Sequence, residues 1–255
     1  MHLCFTSYDC CLNKFLLALF FLFVLNAELK AQKTVTNQSL YWMRYYNQLS
    51  FGNKWTWHNE IDDRRFFDRN KQHHLIMHSR LHYKVLKNID AAIGFTYSLQ
   101  SPQDPNSTSD LIVPERRLVQ EVNYTNPLSN RFTLQQRLRI DERFIRKNNG
   151  LDLLDGYAFN FRFRYKLQAN YRINKEEASN QTIAKLSNEL MINAGAGIIY
   201  NQFDQNRIYA GLEQGLARNI SAEIGYLHWY QQRAAGDQFF DREIIRLTLY
   251  HKVKI

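Results

Sequence analysis

The sequence predicts an all-β protein, a transmembrane antiparallel up-and-down β-barrel of about 10–12 strands. The main observation is the alternation in residues 131–144, RFTLQQRLRIDERF, where apolar residues hold most even positions and charged or polar residues hold the positions between. Successive side chains of a strand point to opposite faces, so this segment has one lipid-like face and one charged face. Gln136 and Glu142 are the exceptions on the apolar face.

Two further observations support a membrane barrel. Aromatic residues make up 14% of the chain, which is typical of rings at membrane interfaces, although general β propensity gives the same enrichment. No segment after residue 31 is long and apolar enough for a membrane helix. A membrane protein with this sequence must therefore cross as a closed barrel.

The N-terminal 31 residues have the character of a secretory signal. A basic residue precedes the apolar run 15–25, which is too short to span a bilayer but has the length of a signal core. Cleavage is expected after Ala31, with Ala27 as the alternative site and an uncleaved interfacial anchor as the alternative role. The predicted domains are a signal peptide at 1–31 and an outer-membrane barrel at 32–255.

Composition excludes several kinds of site. The three cysteines, Cys4, Cys10 and Cys11, all precede the apolar run, so the mature chain has no disulfide, thiolate nucleophile or cysteine-based metal site. The net charge of +9 would suit nucleic acid. However, the basic residues alternate with apolar ones and do not cluster in tails, so no nucleic-acid partner and no cofactor are expected.

Alternation locates eleven candidate strands, and their order predicts the topology. Bacterial single-chain barrels normally have an even number of strands, so twelve strands are predicted, with ten as the alternative. Short turns near residues 52, 88, 128 and 218 are expected on the periplasmic side, and longer loops near 69, 107, 151 and 236 outside. The segments are 38–50, 54–66, 73–86, 89–99, 115–125, 131–144, 157–173, 182–193, 206–217, 220–232 and 241–255.

A set of strand motifs resembles one known family. The motifs are an early Trp, Glu60-x-x-x-Arg64, RLRIDER at 137–143, Asn188-Glu189, Gln205-Asn206-Arg207 and Gly225-Tyr226-Leu227. In this order they are similar to the bacterial family called domain of unknown function 2490, over nearly the whole mature chain. The resemblance implies an outer-membrane barrel and brings no established activity with it.

The charged faces of the strands are the candidate functional site. Fourteen basic and seven acidic residues are expected to line the lumen, an excess of +7. The basic set is Arg64, Arg80, Lys84, Arg117, Arg137, Arg139, Arg143, Arg162, Arg164, Lys166, Lys185, Arg207, Arg246 and Lys252, and the acidic set is Glu60, Asp62, Glu121, Asp141, Glu189, Glu213 and Glu223.

Two interpretations of these charges remain open. They form either an anion-selective lumen or a cross-strand ion-pair network that fills a small barrel. The second is favoured because long arginine side chains close a narrow bore. Any conduction would then be small and anion-selective, with Arg137, Arg139 and Arg143 at the constriction.

The histidine spacing does not predict a metal site. His74, His78 and His82 are four residues apart, which would place them together on a helix. On a strand, four residues span about 13 Å. One ion cannot bridge that distance.

The predicted function is a non-enzymatic, porin-like barrel in the outer membrane of a Gram-negative bacterium, with a structural or transport-related role. Its expected partners are outer-membrane lipid, the barrel-assembly machinery and small anions in the lumen. One alternative is an outer-membrane lipid hydrolase with a serine and a histidine on the outer face, for which His228 and His251 are the histidines available. The other is a soluble periplasmic barrel that binds a ligand. The sequence contains no GxSxG, P-loop or glycine-rich dinucleotide motif.

Overall fold

The fold is described from a computed structural model, which covers residues 33–175 and 180–255. The predicted signal segment, residues 1–31, lies outside the described residues. Eleven strands of the described chain form one closed barrel in sequence order. They are β1 (Thr34–Phe51), β2 (Trp55–Phe66), β3 (Gln72–Leu86), β4 (Ile89–Gln100), β5 (Val113–Pro127), β6 (Phe132–Asn148), β7 (Leu153–Arg172), β8 (Thr182–Ala194), β9 (Phe203–Ala217), β10 (Ile220–Gln232) and β11 (Gln238–Lys254).

The predicted fold class is confirmed, whereas the preferred count of twelve strands is wrong. The eleven segments found by alternation are the strands of the barrel. Consecutive strands pair antiparallel, so β1 and β11 run in the same direction and close the barrel as a parallel pair. The backbone N–H of Ile255 donates to the carbonyl of Ser50 at 2.9 Å. Because a parallel ladder also satisfies the backbone groups of both edges, an even strand number is not a physical requirement.

The strands are longer than alternation alone predicts, and one loop is shorter. The predicted loop 146–156 contracts to 149–152, because β6 and β7 continue to pair at Arg146–Tyr157 and Asn148–Leu153. The side chains of this extension also interact, since the guanidinium of Arg146 lies 5.6 Å from the ring centroid of Tyr157.

Connections of different length separate the two ends of the barrel. The short-turn end carries segments 52–54, 87–88, 128–131, 173–181 and 218–219, and the long-loop end carries 67–71, 101–112, 149–152, 195–202 and 233–237. The link 173–181 is the long exception at the short-turn end, and its residues 176–179 are outside the described ranges.

The outer surface of the barrel is apolar. Exposed aliphatic and aromatic side chains cover the outward positions of every strand, for example Met43, Ile61, Ile93, Leu118, Phe163, Leu186, Ile208, Ile224 and Leu247. Aromatic rings lie near both ends: Trp55, Tyr83, Tyr124 and Tyr171 near the short turns, and Tyr41, Tyr97, Tyr157 and Tyr230 near the long loops. Two aromatic girdles around an apolar band are typical of membrane barrels.

The polar exceptions on the outer face pair with one another. Gln120 Nε2 donates to Glu142 Oε1 at 2.8 Å, and the hydroxyl of Tyr165 donates to Gln136 Oε1 at 2.9 Å. These bonds join neighbouring strands, so the polar groups that interrupt the apolar pattern are satisfied on the surface. Within the described ranges, no helix has the length and apolar character needed to cross a bilayer.

Leu247→Arg should test the outward face. Leu247 is 45% exposed near the middle of β11 and lies opposite Ile224, which is also exposed. If both contact lipid, the substitution lowers the free energy of unfolding in lipid vesicles by about 2–4 kcal/mol. Leu247→Met is the control and should have little effect, because its size and polarity are similar. Equal urea midpoints for the two variants would contradict the assignment of this face.

Candidate functional site

The structure places the predicted lumen residues inside the barrel, with two exceptions at one end. All of them are buried or half-buried apart from Lys84 and Lys252, whose side chains are exposed. Both lie at the short-turn ends of their strands, where a long side chain reaches solvent. Lys252 remains 3.5 Å from Glu213, whereas Lys84 has no carboxylate within 4.0 Å in the described part of the chain.

The first ion-pair network joins β1, β2 and β3. Asp62 is fully buried and accepts two hydrogen bonds from Arg44, from Nε and Nη2, each at 2.7 Å. It also accepts a hydrogen bond from Arg64 Nη2 at 2.7 Å. Arg44 and Arg80 then share Glu60 at 3.1 and 3.3 Å. The bidentate Arg44–Asp62 pair fixes the side-chain geometry as well as neutralising charge.

The second network joins β4, β5 and β6 around Glu115. Its buried carboxylate accepts hydrogen bonds from Arg117 Nε and Nη2 at 2.8 and 2.7 Å, and from Arg143. The Gln100 amide donates a further hydrogen bond at 2.5 Å. Glu115 shares the strand parity of Arg117, and this is the signal by which the sequence could have revealed it.

The third network lies on β6, β7 and β8. Asp141 accepts from Arg139 at 2.6 Å and from Arg164 at 3.3 Å. Arg164 also pairs with Glu189 at 2.7 Å, and Arg137 reaches the same carboxylate at 2.6 Å. Arg137, Arg139 and Arg143, which were predicted to form a constriction, all lie on β6. Because a strand rises about 3.3 Å per residue, their side chains enter the lumen at successive heights and do not form one ring.

The fourth network is centred on Glu223 of β10. Tyr209, Lys185 and Arg246 each donate to it at 2.6 to 2.7 Å, and Tyr250 donates at 3.0 Å. These donors come from three strands, β8, β9 and β11, around Glu223 on β10. Lys185 also pairs with Glu213, which extends the network along β9.

Two glycines position Tyr209. Gly211 and Gly225 lie opposite each other on β9 and β10. A Cβ atom at either glycine would lie within 2.2 to 2.3 Å of the Tyr209 hydroxyl. Only glycine therefore lets this ring lie flat across the two strands and reach Glu223.

The sequence did not predict an apolar cluster inside the barrel. Its members are Leu40, Trp42, Phe66, Tyr209, Leu227, Trp229 and Ile244, all at most 3% exposed. The rings of Trp42 and Trp229 meet edge to face at 5.7 Å between centroids. Arginines cover these rings: Arg64 lies 3.9 Å above Trp42, and Arg242 lies 4.3 Å above Trp229. Such cation–π contacts strengthen where water is excluded.

A cavity of about 520 Å³ remains between these networks. Residues of loops 101–112, 195–202 and 233–237 line part of it, so it faces the long-loop end. Thirteen basic side chains and three carboxylates line it: Arg44, Arg64, Arg80, Arg117, Arg137, Arg139, Arg143, Arg162, Arg164, Lys166, Arg207, Arg233 and Arg246, with Glu60, Glu189 and Asp204. The cavity therefore has a strongly positive wall.

A partition separates this cavity from a smaller one at the short-turn end. The second cavity, of about 260 Å³, shares no lining residue with the first. Inward-facing Tyr46, Glu121, Glu223 and Tyr250 line neither cavity, and we call these four residues the partition. The rings of Tyr46 and Tyr250 meet at 5.4 Å. We infer that the lumen narrows at these four residues, between the two cavities.

The inward histidines have separate partners. His78 Nδ1 lies 2.6 Å from the hydroxyl of Thr96, and His82 Nδ1 lies 2.7 Å from Asp90. His74 packs against the ring of His73 at 4.2 Å. Within the described residues, no three His, Cys, Asp or Glu side chains are placed to hold a metal ion.

The outward histidines do not contact a serine hydroxyl in the described chain. His228 Nε2 lies 2.6 Å from Asp241, and His251 Nδ1 lies 3.1 Å from the Tyr45 hydroxyl. A histidine–carboxylate pair needs an adjacent nucleophile to perform acyl transfer.

The fold and the site define a closed β-barrel with an apolar outside and an ion-paired, basic inside. The chain belongs to the family described as a protein of unknown function, DUF2490, whose profile matches residues 40–240. The resemblance inferred from the strand motifs is therefore confirmed. The search of curated proteins gives no match.

Two solved structures are similar in fold at low sequence identity. The NanC porin is 12% identical with a TM-score of 0.48, and the match covers 81% of this chain and 90% of the porin. The β domain of the Bordetella autotransporter BrkA is 12% identical with a TM-score of 0.43, and the match covers 78% of this chain and 81% of that domain.

Proposed function

We propose that the protein is a non-enzymatic, porin-like barrel of the Gram-negative outer membrane that admits small anions from its long-loop end. One observation carries the proposal. The cavity of about 520 Å³ is lined by thirteen basic side chains and only three carboxylates, and it faces the long loops. A concave site with fixed positive charge attracts anions and repels cations.

The outer surface supports the membrane part of the proposal. The apolar band lies between two aromatic girdles, and its polar interruptions are hydrogen-bonded in pairs. Outer-membrane lipid is then the partner of this surface. Export by a cleaved signal at 1–31 and insertion by the barrel-assembly machinery belong to the same proposal.

The purified protein should require detergent and should fractionate with outer membranes. Its mobility on a gel should differ before and after heating. A chain that is monodisperse in buffer alone would favour the soluble ligand-binding alternative.

The charge distribution supports anions as the ligands. Nine buried or half-buried carboxylates face fourteen basic side chains inside the barrel, counted without Asp90 and Arg172 at the short-turn end and without the exposed Arg233, Lys84 and Lys252. The networks neutralise only part of this charge, so the cavity keeps a positive potential. The carboxylates are Glu60, Asp62, Glu115, Glu121, Asp141, Glu189, Asp204, Glu213 and Glu223, and the cations are Arg44, Arg64, Arg80, Arg117, Arg137, Arg139, Arg143, Arg162, Arg164, Lys166, Lys185, Arg207, Arg242 and Arg246.

The partition determines the expected conductance. Because Tyr46 and Tyr250 lie between the two cavities, an anion that enters from the long loops cannot pass until these rings move. The unmodified protein should therefore show small or rare currents in planar bilayers. Its reversal potential under a salt gradient tests the proposal, and a potential on the cation side would contradict it.

Cysteines at Ser107 and Asn130 should test the orientation. Ser107 lies in loop 101–112 at the long-loop end, and Asn130 lies in turn 128–131 at the opposite end. On intact cells, a membrane-impermeant maleimide should label Ser107→Cys and leave Asn130→Cys unlabelled. Both variants should react after the outer membrane is disrupted, which is the control. Stronger labelling of Asn130→Cys on intact cells would reverse the orientation.

A further inference from the structure

Two half-buried cations on the cavity wall lack a carboxylate partner, apart from the exposed Arg233. Lys166 of β7 and Arg207 of β9 both line the cavity. Across the described ranges, neither has a carboxylate oxygen within the 4.0 Å of an ion pair, unlike Arg164 and Arg137 beside them. Taking a cation out of water without a counter-charge is costly. An anion in the cavity would offset this cost.

The strand register places these two cations close together. Lys166 is opposite Glu189 on β8, and Glu189 is opposite Arg207 on β9. Neighbouring strands are about 4.8 Å apart, so the Lys166 and Arg207 backbones are separated by roughly 10 Å. Glu189 lies between them in the register, but its ion pairs are with Arg137 of β6 and Arg164 of β7. Two long side chains at this spacing can converge on one anionic group.

Aromatic rings hold Arg207 in a fixed orientation. Its guanidinium lies 4.6 Å from the ring centroid of Trp229 and 5.4 Å from that of Trp42. Its Nε donates to Gln205 Oε1 at 2.9 Å, which leaves the two Nη groups for a ligand. A guanidinium that is already oriented loses little entropy on binding, and its fork matches the oxygens of a carboxylate or phosphate.

The unsatisfied polar atoms of the cavity wall are mainly hydrogen-bond donors. These atoms are themselves buried, so they add to the positive character of the wall without contacting a ligand directly. Among the described side chains that line the cavity, the buried donors without a protein acceptor are Trp42 Nε1, Arg80 Nε, Arg137 Nε, Arg139 Nη2, Trp229 Nε1 and Arg246 Nε. The corresponding acceptor is Asn160 Oδ1, and His74 Nδ1 can act in either role.

The wall also excludes recognition by ring stacking. Arg64 and Arg207 cover Trp42, and Arg207 and Arg242 cover Trp229. Both indoles are at most 2% exposed, so they offer no open face. The ligand is selected by its charge and its acceptor oxygens. The volume of about 520 Å³ is that of a small-molecule site.

We propose that Lys166 and Arg207 bind a small oxyanion with at least two negative charges, which enters from the long-loop end. Two unpaired cations, on a wall that carries thirteen basic side chains and three carboxylates, match two or more acidic groups better than one. This proposal rests on the proposed function, since it names the class of anion that the barrel admits. Di- and tricarboxylates and phosphorylated small molecules share the required chemistry.

The test is calorimetric titration of the purified barrel in neutral detergent at low salt. The probes are citrate for polycarboxylates, pyrophosphate for phosphates and acetate as the monovalent control. Citrate or pyrophosphate should bind at least about tenfold more tightly than acetate. The tighter of the two shows whether the natural ligand is a polycarboxylate or a phosphate compound. Removing one charge-assisted contact, as in Lys166→Gln or Arg207→Gln, should weaken that binding about tenfold.

Lys84→Gln is the matched control, because Lys84 is an unpaired lysine at the short-turn mouth, outside the main cavity. It should leave the affinity unchanged. Heat-modifiable gel mobility of each variant shows that the barrel has folded. Equal affinities for acetate and citrate, or equal losses in Lys84→Gln and Lys166→Gln, would overturn the site. That result would leave the proposed function intact if the currents remained anion-selective, whereas cation-selective currents would overturn the proposed function itself.

Discussion

Glu223→Gln should lower the free energy of unfolding by about 3–5 kcal/mol, the largest stability effect expected in this barrel. The substitution keeps the shape of the side chain but removes the charge that Lys185 and Arg246 pair with at 2.6 and 2.7 Å. Arg246 would then remain in the interior without a carboxylate, and Lys185 would keep only Glu213. Removing one member of a buried ion pair costs more than the pair itself contributes, because the uncompensated charge stays buried.

The measurement is equilibrium unfolding in urea, in lipid vesicles, with Glu142→Gln as the control. Glu142 carries the same charge but lies on the outer face, where it accepts one hydrogen bond from Gln120. Its substitution should change the stability by less than about 1 kcal/mol. If Glu223→Gln were as mild as Glu142→Gln, the fourth network would contribute little to the stability of the barrel.

Tyr46→Ser combined with Tyr250→Ser should raise the single-channel conductance several-fold. The two rings meet in the partition between the cavities. Replacing both rings by hydroxymethyl groups joins the cavities into one water-filled path. Tyr45→Ser with Tyr226→Ser is the matched control, since both of these tyrosines are exposed on the outer face. An unchanged conductance in the inward double variant would show that the partition lies elsewhere.

The sequence predicted the fold well because one physical rule dominates it. A strand between lipid and lumen must alternate apolar and polar side chains, and the segments after β1 show this period. The small inward residues of β4, such as Ala92, Thr96 and Ser98, are buried as their parity predicts. Glycine at position 94 has a specific role, because a Cβ there would lie 2.7 Å from the side chain of Arg80 on the neighbouring strand.

The same rule explains what could not be predicted. The alternation rule expects polar or charged side chains at inward positions. It therefore did not reveal that the apolar Leu40, Trp42 and Phe66 are buried inside the barrel near the long-loop end. Those residues obscured the alternation of β1 and, with it, the inward position of Arg44. Arg242 was missed for a related reason, since it lies beside the aromatic Phe240 at 4.1 Å.

Strand number and side-chain pairing are properties of the closed structure. Whether a barrel closes with a parallel pair depends on the contact between β1 and β11, which are far apart in the sequence. Likewise, Lys166 and Arg207 can be distinguished from the paired cations only when the carboxylate that each cation reaches is known. Alternation gives the face of each residue but not its partner across the lumen.

The most direct test of the anion-admitting barrel is the reversal potential of the Tyr46→Ser/Tyr250→Ser variant in a planar bilayer under a tenfold KCl gradient. The unmodified protein can fail to conduct because the partition blocks it, and a silent bilayer gives no reversal potential. The double variant opens the partition but keeps all thirteen basic side chains of the cavity wall. The current should reverse close to the equilibrium potential of chloride, because a narrow path with fixed positive charge excludes potassium. A reversal potential close to that of potassium would contradict an anion-admitting lumen.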